Sequence, residues 1–143
     1  MSAETGKADP ITRFQFYRLA LAYRVVSALI VVLVLLQAVL VGRGWFLGEG
    51  NLVKIHGNLG SLTFLAAVAL GAIALALRPS ARHWLRFLAP IAILIILVAA
   101  QLGLGYSGRK NSDAAALHIP NGVLIFGLSV LILVAPLPRS NRR

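Results

Sequence analysis

The sequence predicts an all-α membrane protein, an antiparallel bundle of four transmembrane helices built from two similar helical hairpins. Three observations predict it. Of 143 residues, 59% are hydrophobic and 13% charged, against about 25% charged in an average soluble domain. The mean hydropathy of +0.85 comes from four separate apolar runs, each near the roughly 20 residues needed to cross a hydrocarbon core of about 30 Å. The polar residues inside those runs recur in a pattern that repeats once along the chain.

The first element is a polar arm, residues 1–24, expected on the cytoplasmic side. An apolar run from Val25 to Val41 follows as the first span, with Ser27 and Gln37 its polar residues. The arm is long for the positive segment of a signal peptide, and Gly42-Arg43-Gly44-Trp45 offers no small-residue cleavage site, so this helix is expected to be retained. The second span reads from about His56 to Leu77 and closes at Arg78-Pro79, since proline cannot continue a helix. The third runs from about Leu85 to Tyr106 and the fourth from about Leu117 to Leu137. Pro90 falls in the first turn or two of the third helix and Pro120 in the first turn of the fourth, where a missing N–H costs little. Four spans with short loops fill the chain and exclude a separate soluble domain.

Fourteen Lys and Arg against four Asp and Glu give a net charge of +10. These charges lie outside the apolar runs, without the aromatic-interleaved basic stretch of a nucleic-acid binder, so no nucleic-acid partner is expected. Their distribution is a topology signal instead. Lys7, Arg13, Arg18, Arg24, Arg78, Arg82, Arg86, Arg139, Arg142 and Arg143 fall on one side; Arg43, Lys54, Arg109 and Lys110 fall on the other. Both termini are therefore expected in the cytoplasm of a bacterial-type plasma membrane. The two hairpin loops, roughly 42–55 and 107–116, face outward with Trp45, Phe46 and Tyr106 at the interface. The inner arginines read as contacts to anionic membrane lipids, and His83 beside them as a solvated loop residue.

The repeat is carried by polar positions. Gln37 is followed by Gly42-Arg43 and Gln101 by Gly108-Arg109. After each loop comes a histidine, in His56-Gly-Asn-Leu-Gly60 and His118-Ile-Pro-Asn-Gly122. Both obey H-x-x-x-G with an asparagine between, and the pseudo-twofold relation puts the histidines at one depth, able to face each other. A glycine four residues on lies one turn away on the same face. That face continues below as a mostly small-residue stripe: Gly60, Thr63, Ala67, Gly71 and Ala74 under His56, and Gly122, Ile125 and Ser129 under His118. The expected result is a flat slot suited to a planar macrocycle.

A metal needs neutral imidazole, and a histidine at a helix N-terminus feels the positive end of the macrodipole, which disfavours the imidazolium. Zero cysteines exclude thiolate ligands and covalent c-type haem. Zinc usually takes three or four protein ligands, whereas haem can take two. The expectation is haem b, held non-covalently by His56 and His118 as metal ligands. Gly60 and Gly122 would line the slot, and Arg43 and Arg109, with Lys54 or Lys110, would meet the propionates. Gln37 and Gln101 are expected to hydrogen-bond across helices. The function that follows is a small b-type cytochrome or haem-carrying subunit in electron transfer, with quinone or a larger membrane redox complex as partner. The alternative is a cofactor-free accessory subunit that docks on a larger complex through its Gly/Ala stripes. A transporter is disfavoured because no ionisable residue lies mid-membrane.

The stretch Gln101-Leu-Gly-Leu-Gly-Tyr-Ser-Gly-Arg109, followed by His118, resembles the third-to-fourth helix segment of the haem A synthase family. The first hairpin, with Glu49 ahead of His56, resembles that family's first-to-second segment. The resemblance covers nearly the whole chain and corresponds to one four-helix half of those enzymes. It implies histidine ligation of haem at the outer starts of the second and fourth helices. The family's glutamate three residues before the first histidine is replaced by Val53, its following arginine by Gly57, and the loop cysteines are absent. What the resemblance implies here is therefore a ligation scaffold without haem-methyl oxidation.

Overall fold

The computed structural model of the chain describes residues 10–77 and 84–137. Four helices account for nearly all of them: α1 (Pro10–Phe46), α2 (Gly50–Ala76), α3 (Trp84–Ser107) and α4 (Ser112–Val134). All four are long and apolar enough to cross a membrane, and together they form an all-α four-helix membrane bundle. Arg78-Pro79, Arg82, His83 and the charged tail lie outside the described residues, as do residues 1–9 of the arm.

Helices adjacent in the chain pack together, and α1 closes the ring against α4; the diagonal pairs, α1 with α3 and α2 with α4, make no close backbone approach among the described residues. The core lies along the bundle axis, where Ile30, Ala67, Leu70, Ala74 and Leu94 are fully buried. Alanines on α2 keep the packing tight, as small residues do at helix interfaces in lipid. Large apolar side chains such as Val32, Leu65, Ile96 and Leu131 point outward and are exposed, which is the expected arrangement when the solvent is hydrocarbon. Trp45, Phe46 and Tyr106 are exposed at the hairpin end, where interfacial aromatics belong.

The helix limits differ from the expected spans at three places. First, α1 begins at Pro10, so residues 10–24 continue the first helix. Nothing between Phe14 and Arg24 breaks a helix, and hydropathy marks where lipid ends, not where hydrogen bonding ends. At 37 residues it is about 55 Å long, well beyond the bilayer core. Second, the connections shrink to residues 47–49 and 108–111. Third, Pro120 is the ninth residue of α4, which runs unbroken through it. It has no N–H to return to the Ala116 carbonyl, a loss that membrane helices tolerate by local adjustment.

The repeat is visible in the hairpin ends. Gly44 and Gly108 each come seven residues after the glutamine of their helix. At Gly44 an added Cβ would stand 2.8 Å from Val53 Cγ2 and 3.2 Å from the Val53 nitrogen; at Gly108 it would stand 3.1 Å from Ala115 Cα. Val53 and Ala115 each come three residues before a histidine, so the two close approaches are equivalent. The glycine matching Gly108 is thus Gly44 rather than Gly42. The caps diverge: Asn111 Oδ1 accepts from the backbone N–H of Asp113 and Ala114, a standard asparagine N-cap, whereas Glu49 makes no cap bond and sits 3.7 Å from Arg43.

Candidate functional site: a histidine pair across the bundle

His56 and His118 are each the seventh residue of their helix, α2 and α4. The early helix starts put both a full turn or more past the N-terminus. The macrodipole acts mainly over the first turn, so it does not govern these imidazoles as the sequence suggested. What the early starts retain is equal depth. Across the diagonal of the bundle the two rings face each other, with centroids 6.0 Å apart and planes inclined at 68°.

The surroundings of the two rings are not alike. Nδ1 of His56 lies 3.0 Å from the backbone carbonyl of Gln37. A carbonyl can only accept, so Nδ1 carries the proton and Nε2 presents its lone pair. Nδ1 of His118 is buried without a fully formed hydrogen bond, with the Gln101 backbone as its neighbouring acceptor. Its ring lies against the backbone of α3 at Gly105, where an added Cβ would come 3.1 Å from Cε1 and 3.5 Å from Nδ1.

Both glutamines bond across helices. Gln37 Nε2 donates to Thr63 Oγ1 at 2.9 Å and to its own helix at Leu33. Gln101 Nε2 donates to the His118 carbonyl at 3.0 Å, and Gln101 Oε1 accepts from Asn121 Nδ2 at 2.6 Å. Asn121 was visible in the H-x-x-x-G motif but had no assigned role. Asn58, its counterpart in the other motif, is one position off in register and exposed, so the shared asparagine is not a structural equivalence.

Gly60 and Gly122 both line a cavity beside the histidines, and they also seat the glutamines. A Cβ at Gly60 would meet Leu102 at 3.2 Å and Gln37 Oε1 at 3.4 Å; one at Gly122 would meet Gln101 Nε2 at 3.2 Å. Gly71 packs against Ile95 of α3 in the same way. The small-residue stripe is therefore turned inward, within the bundle.

Two cavities adjoin the ring pair and share His56, His118, Gln37 and Gln101 in their walls. The inner one, about 350 Å³, is almost wholly apolar and reaches all four helices through residues such as Val34, Thr63, Val98 and Phe126. The outer one, about 380 Å³, lies toward the hairpin loops and is lined by Trp45, Lys54, Asn58, Tyr106 and Arg109 among others. Of the expected propionate partners, Arg109 and Lys54 are at this cavity. Arg43 is not: it is exposed and pairs with Glu49. Arg109 also stacks over the Tyr106 ring at 5.1 Å. Among the described residues no group of three or more His, Cys, Asp and Glu side chains comes together to hold a metal.

Fold and site define a multi-pass four-helix membrane bundle with a two-histidine centre. Comparison with known protein families, curated proteins and solved structures finds no match to this chain.

Proposed function

We propose that the protein is a small b-type cytochrome or haem-carrying membrane subunit, with haem b held between His56 and His118 and used in electron transfer. The observation that carries this reading is the approach of the two imidazoles across the bundle diagonal. Metal–imidazole bonds of about 2.0–2.1 Å on each side, with each ring centre roughly 1 Å behind its nitrogen, put ring centres about 6 Å apart. The separation of 6.0 Å matches that requirement. A pair of imidazoles suffices for haem, while zinc asks for three or four ligands.

Further features support the fit. His56 has its distal N–H on a backbone carbonyl, the usual second partner of a metal-bound histidine. The inner cavity offers apolar walls for a macrocycle, and Lys54 and Arg109 at the outer cavity offer cations for propionates. Bound haem would supply one-electron chemistry, at a potential set by burial and axial ligation. The chain's own residues would orient the group, exclude water and pair its anionic edge. Neither cavity has a carboxylate in its walls among the described residues, so the reading is of a carrier, not of an enzyme that oxidises haem.

The resemblance to one half of a haem A synthase agrees with this reading, and the charge asymmetry supports a site at the outer face of a bacterial-type plasma membrane with cytoplasmic termini. Quinone or a larger redox complex would exchange the electrons. Detergent-solubilised protein from haem-replete cells should show a Soret band and a reduced α band that vanish in a His56→Ala, His118→Ala double variant. Haem-free wild type would overturn the reading in favour of a cofactor-free accessory subunit. With Gly60 and Gly71 turned inward, such a subunit would need a docking surface other than its Gly/Ala stripes.

A further inference from the structure

We infer that the seam between α1 and α4 is a side portal to the histidine pair: it parts at the histidine end, about a clamp at its far end, and admits haem dissolved in the lipid. The inference rests on the haem reading and deepens it by naming the route and the source. A metal site needs an entry path. His56 belongs to the first hairpin and His118 to the second, so the two ligands meet only while the hairpins are closed on each other.

The groups that close them are unevenly placed. Near the histidines the side-chain hydrogen bonds stay within one hairpin: His56 to Gln37 and Gln37 to Thr63 in the first, Gln101 to His118 and Asn121 to Gln101 in the second. The loops at that end, residues 47–49 and 108–111, stay within the hairpins too. Among the described residues, the side-chain hydrogen bonds that cross between hairpins are those of Arg24 to the Leu133 and Ala135 carbonyls. Beside them Tyr23 stacks on Phe87 of α3, with ring centroids 5.5 Å apart. Charge-assisted bonds are roughly twice as strong as neutral ones, and these lie at the end away from the histidines.

The inner cavity opens on this seam. Its wall residues on α2 and α3 are buried or half-buried, whereas Leu35 and Ala38 of α1 and Ile119 and Val123 of α4 are exposed. Leu35 is eleven residues past Arg24, and Val123 is ten and twelve residues before the two carbonyls that Arg24 holds. In antiparallel helices that puts Leu35 and Val123 level, one on each lip. All four exposed residues are apolar, so the mouth suits a macrocycle already in the bilayer rather than one handed over by a water-soluble carrier.

The chain has no native thiol, which makes a lock testable. A Leu35→Cys, Val123→Cys variant bridged by a short bifunctional maleimide should lose the uptake of haem from haem-loaded liposomes that the same variant shows unbridged. Bridged after loading, it should keep its haem against apomyoglobin, where the unbridged protein yields it. Ser61→Cys with Ala100→Cys, both exposed on α2 and α3 near the level of Gly60 and Leu102, should load and release alike whether bridged or not. Spin labels at positions 35 and 123 should give a broad distance distribution in haem-free protein that narrows on loading. Thiols that the reagent cannot bridge, uptake unaffected by the lock or blocked equally by the α2–α3 lock, faster haem loss from the locked protein, or one narrow distance in both states would overturn the portal and leave the haem reading standing. A wild type that takes up no haem would overturn both.

Discussion

Asn121 donates through Nδ2 to Oε1 of Gln101 at 2.6 Å, and the same Nδ2 lies 3.0 Å from the Leu97 carbonyl. Gln101 in turn donates to the carbonyl of His118. The two side chains thereby fasten α3 to α4 beside one histidine. On the other hairpin the cross-helix bond from Gln37 goes to a Thr63 hydroxyl that is already satisfied by the Leu59 carbonyl.

This difference predicts unequal costs. Interhelical hydrogen bonds in membrane proteins average about 0.6 kcal/mol and reach about 1.7. Asn121→Leu removes two of them and leaves a half-buried Gln101 oxygen without its donor, so a loss of about 1–2 kcal/mol is expected. Gln37→Leu removes one, and about 0.5 kcal/mol is expected. Reversible unfolding in mixed SDS micelles measures both; equal losses would contradict the asymmetry.

The hairpin glycines supply a second prediction. At Gly108 the atoms nearest an added Cβ are the Leu104 oxygen at 2.9 Å and Ala115 Cα at 3.1 Å, all backbone; at Gly44 the Glu49 oxygen and Val53 nitrogen stand at 3.2 Å. Backbone cannot step aside as a flexible side chain can. Gly44→Ala and Gly108→Ala should each cost about 1–3 kcal/mol through overpacking. Gly42 and Gly103 have nothing within 4 Å of that position, and alanine there should be neutral or stabilising by up to about 1 kcal/mol. Thermal unfolding in detergent of the four single variants separates the pairs; a uniform response would refute the close packing at the two crossings, and unequal losses at Gly44 and Gly108 would refute their equivalence.

The repeat and the bundle were legible in the sequence because both depend on what lipid demands of a chain. Long apolar runs must be helices, and polar residues within them are few enough for a recurrence to stand out. His56 and His118 could be placed at one depth from spacing alone. The helix starts were less legible. Asn111 two residues before Asp113 is a readable N-cap, but Glu49 caps nothing, and the segment Asn51 to Lys54, which breaks the apolar run with two polar residues, looks like loop although it is helix. Least legible was how each imidazole is seated: the His118 ring lies against Gly105 of α3, where α1 carries Val41, and periodicity along one helix does not convey what the facing helix presents.

Arg24 gives a third prediction. Counted in the sequence as a topology cation, it is half-buried and its guanidinium donates to the Leu133 carbonyl and, at 2.8 Å, to that of Ala135. These carbonyls end α4, where cations are favoured by the helix dipole. Charge-assisted bonds of this kind are worth about 1.5–3 kcal/mol, so Arg24→Leu should destabilise the bundle by about that amount. Arg18, exposed and over the Phe14 ring at 5.6 Å, is the control, and Arg18→Leu should change stability by less than about 0.5 kcal/mol. Comparable losses at the two positions would remove the capping role.

The fourth prediction concerns which end of the bundle faces outward. The chain has no cysteine, so a single introduced thiol reports its own position without background. Gln15 on the extension of α1 and Ser112 at the start of α4 are both exposed and lie toward opposite ends. The sequence assigns ten cations to the cytoplasmic side and four to the hairpin loops, and on that assignment the positive-inside rule expects Ser112 outside. A membrane-impermeant maleimide added to intact spheroplasts should label Ser112→Cys at once and Gln15→Cys only after lysis. The reverse pattern would leave the histidine pair and its two cavities intact but turn them to the cytoplasm. The proposed electron exchange would then have to occur with a cytoplasmic donor or acceptor, and the arginines of α1 and α3 would need another account than topology.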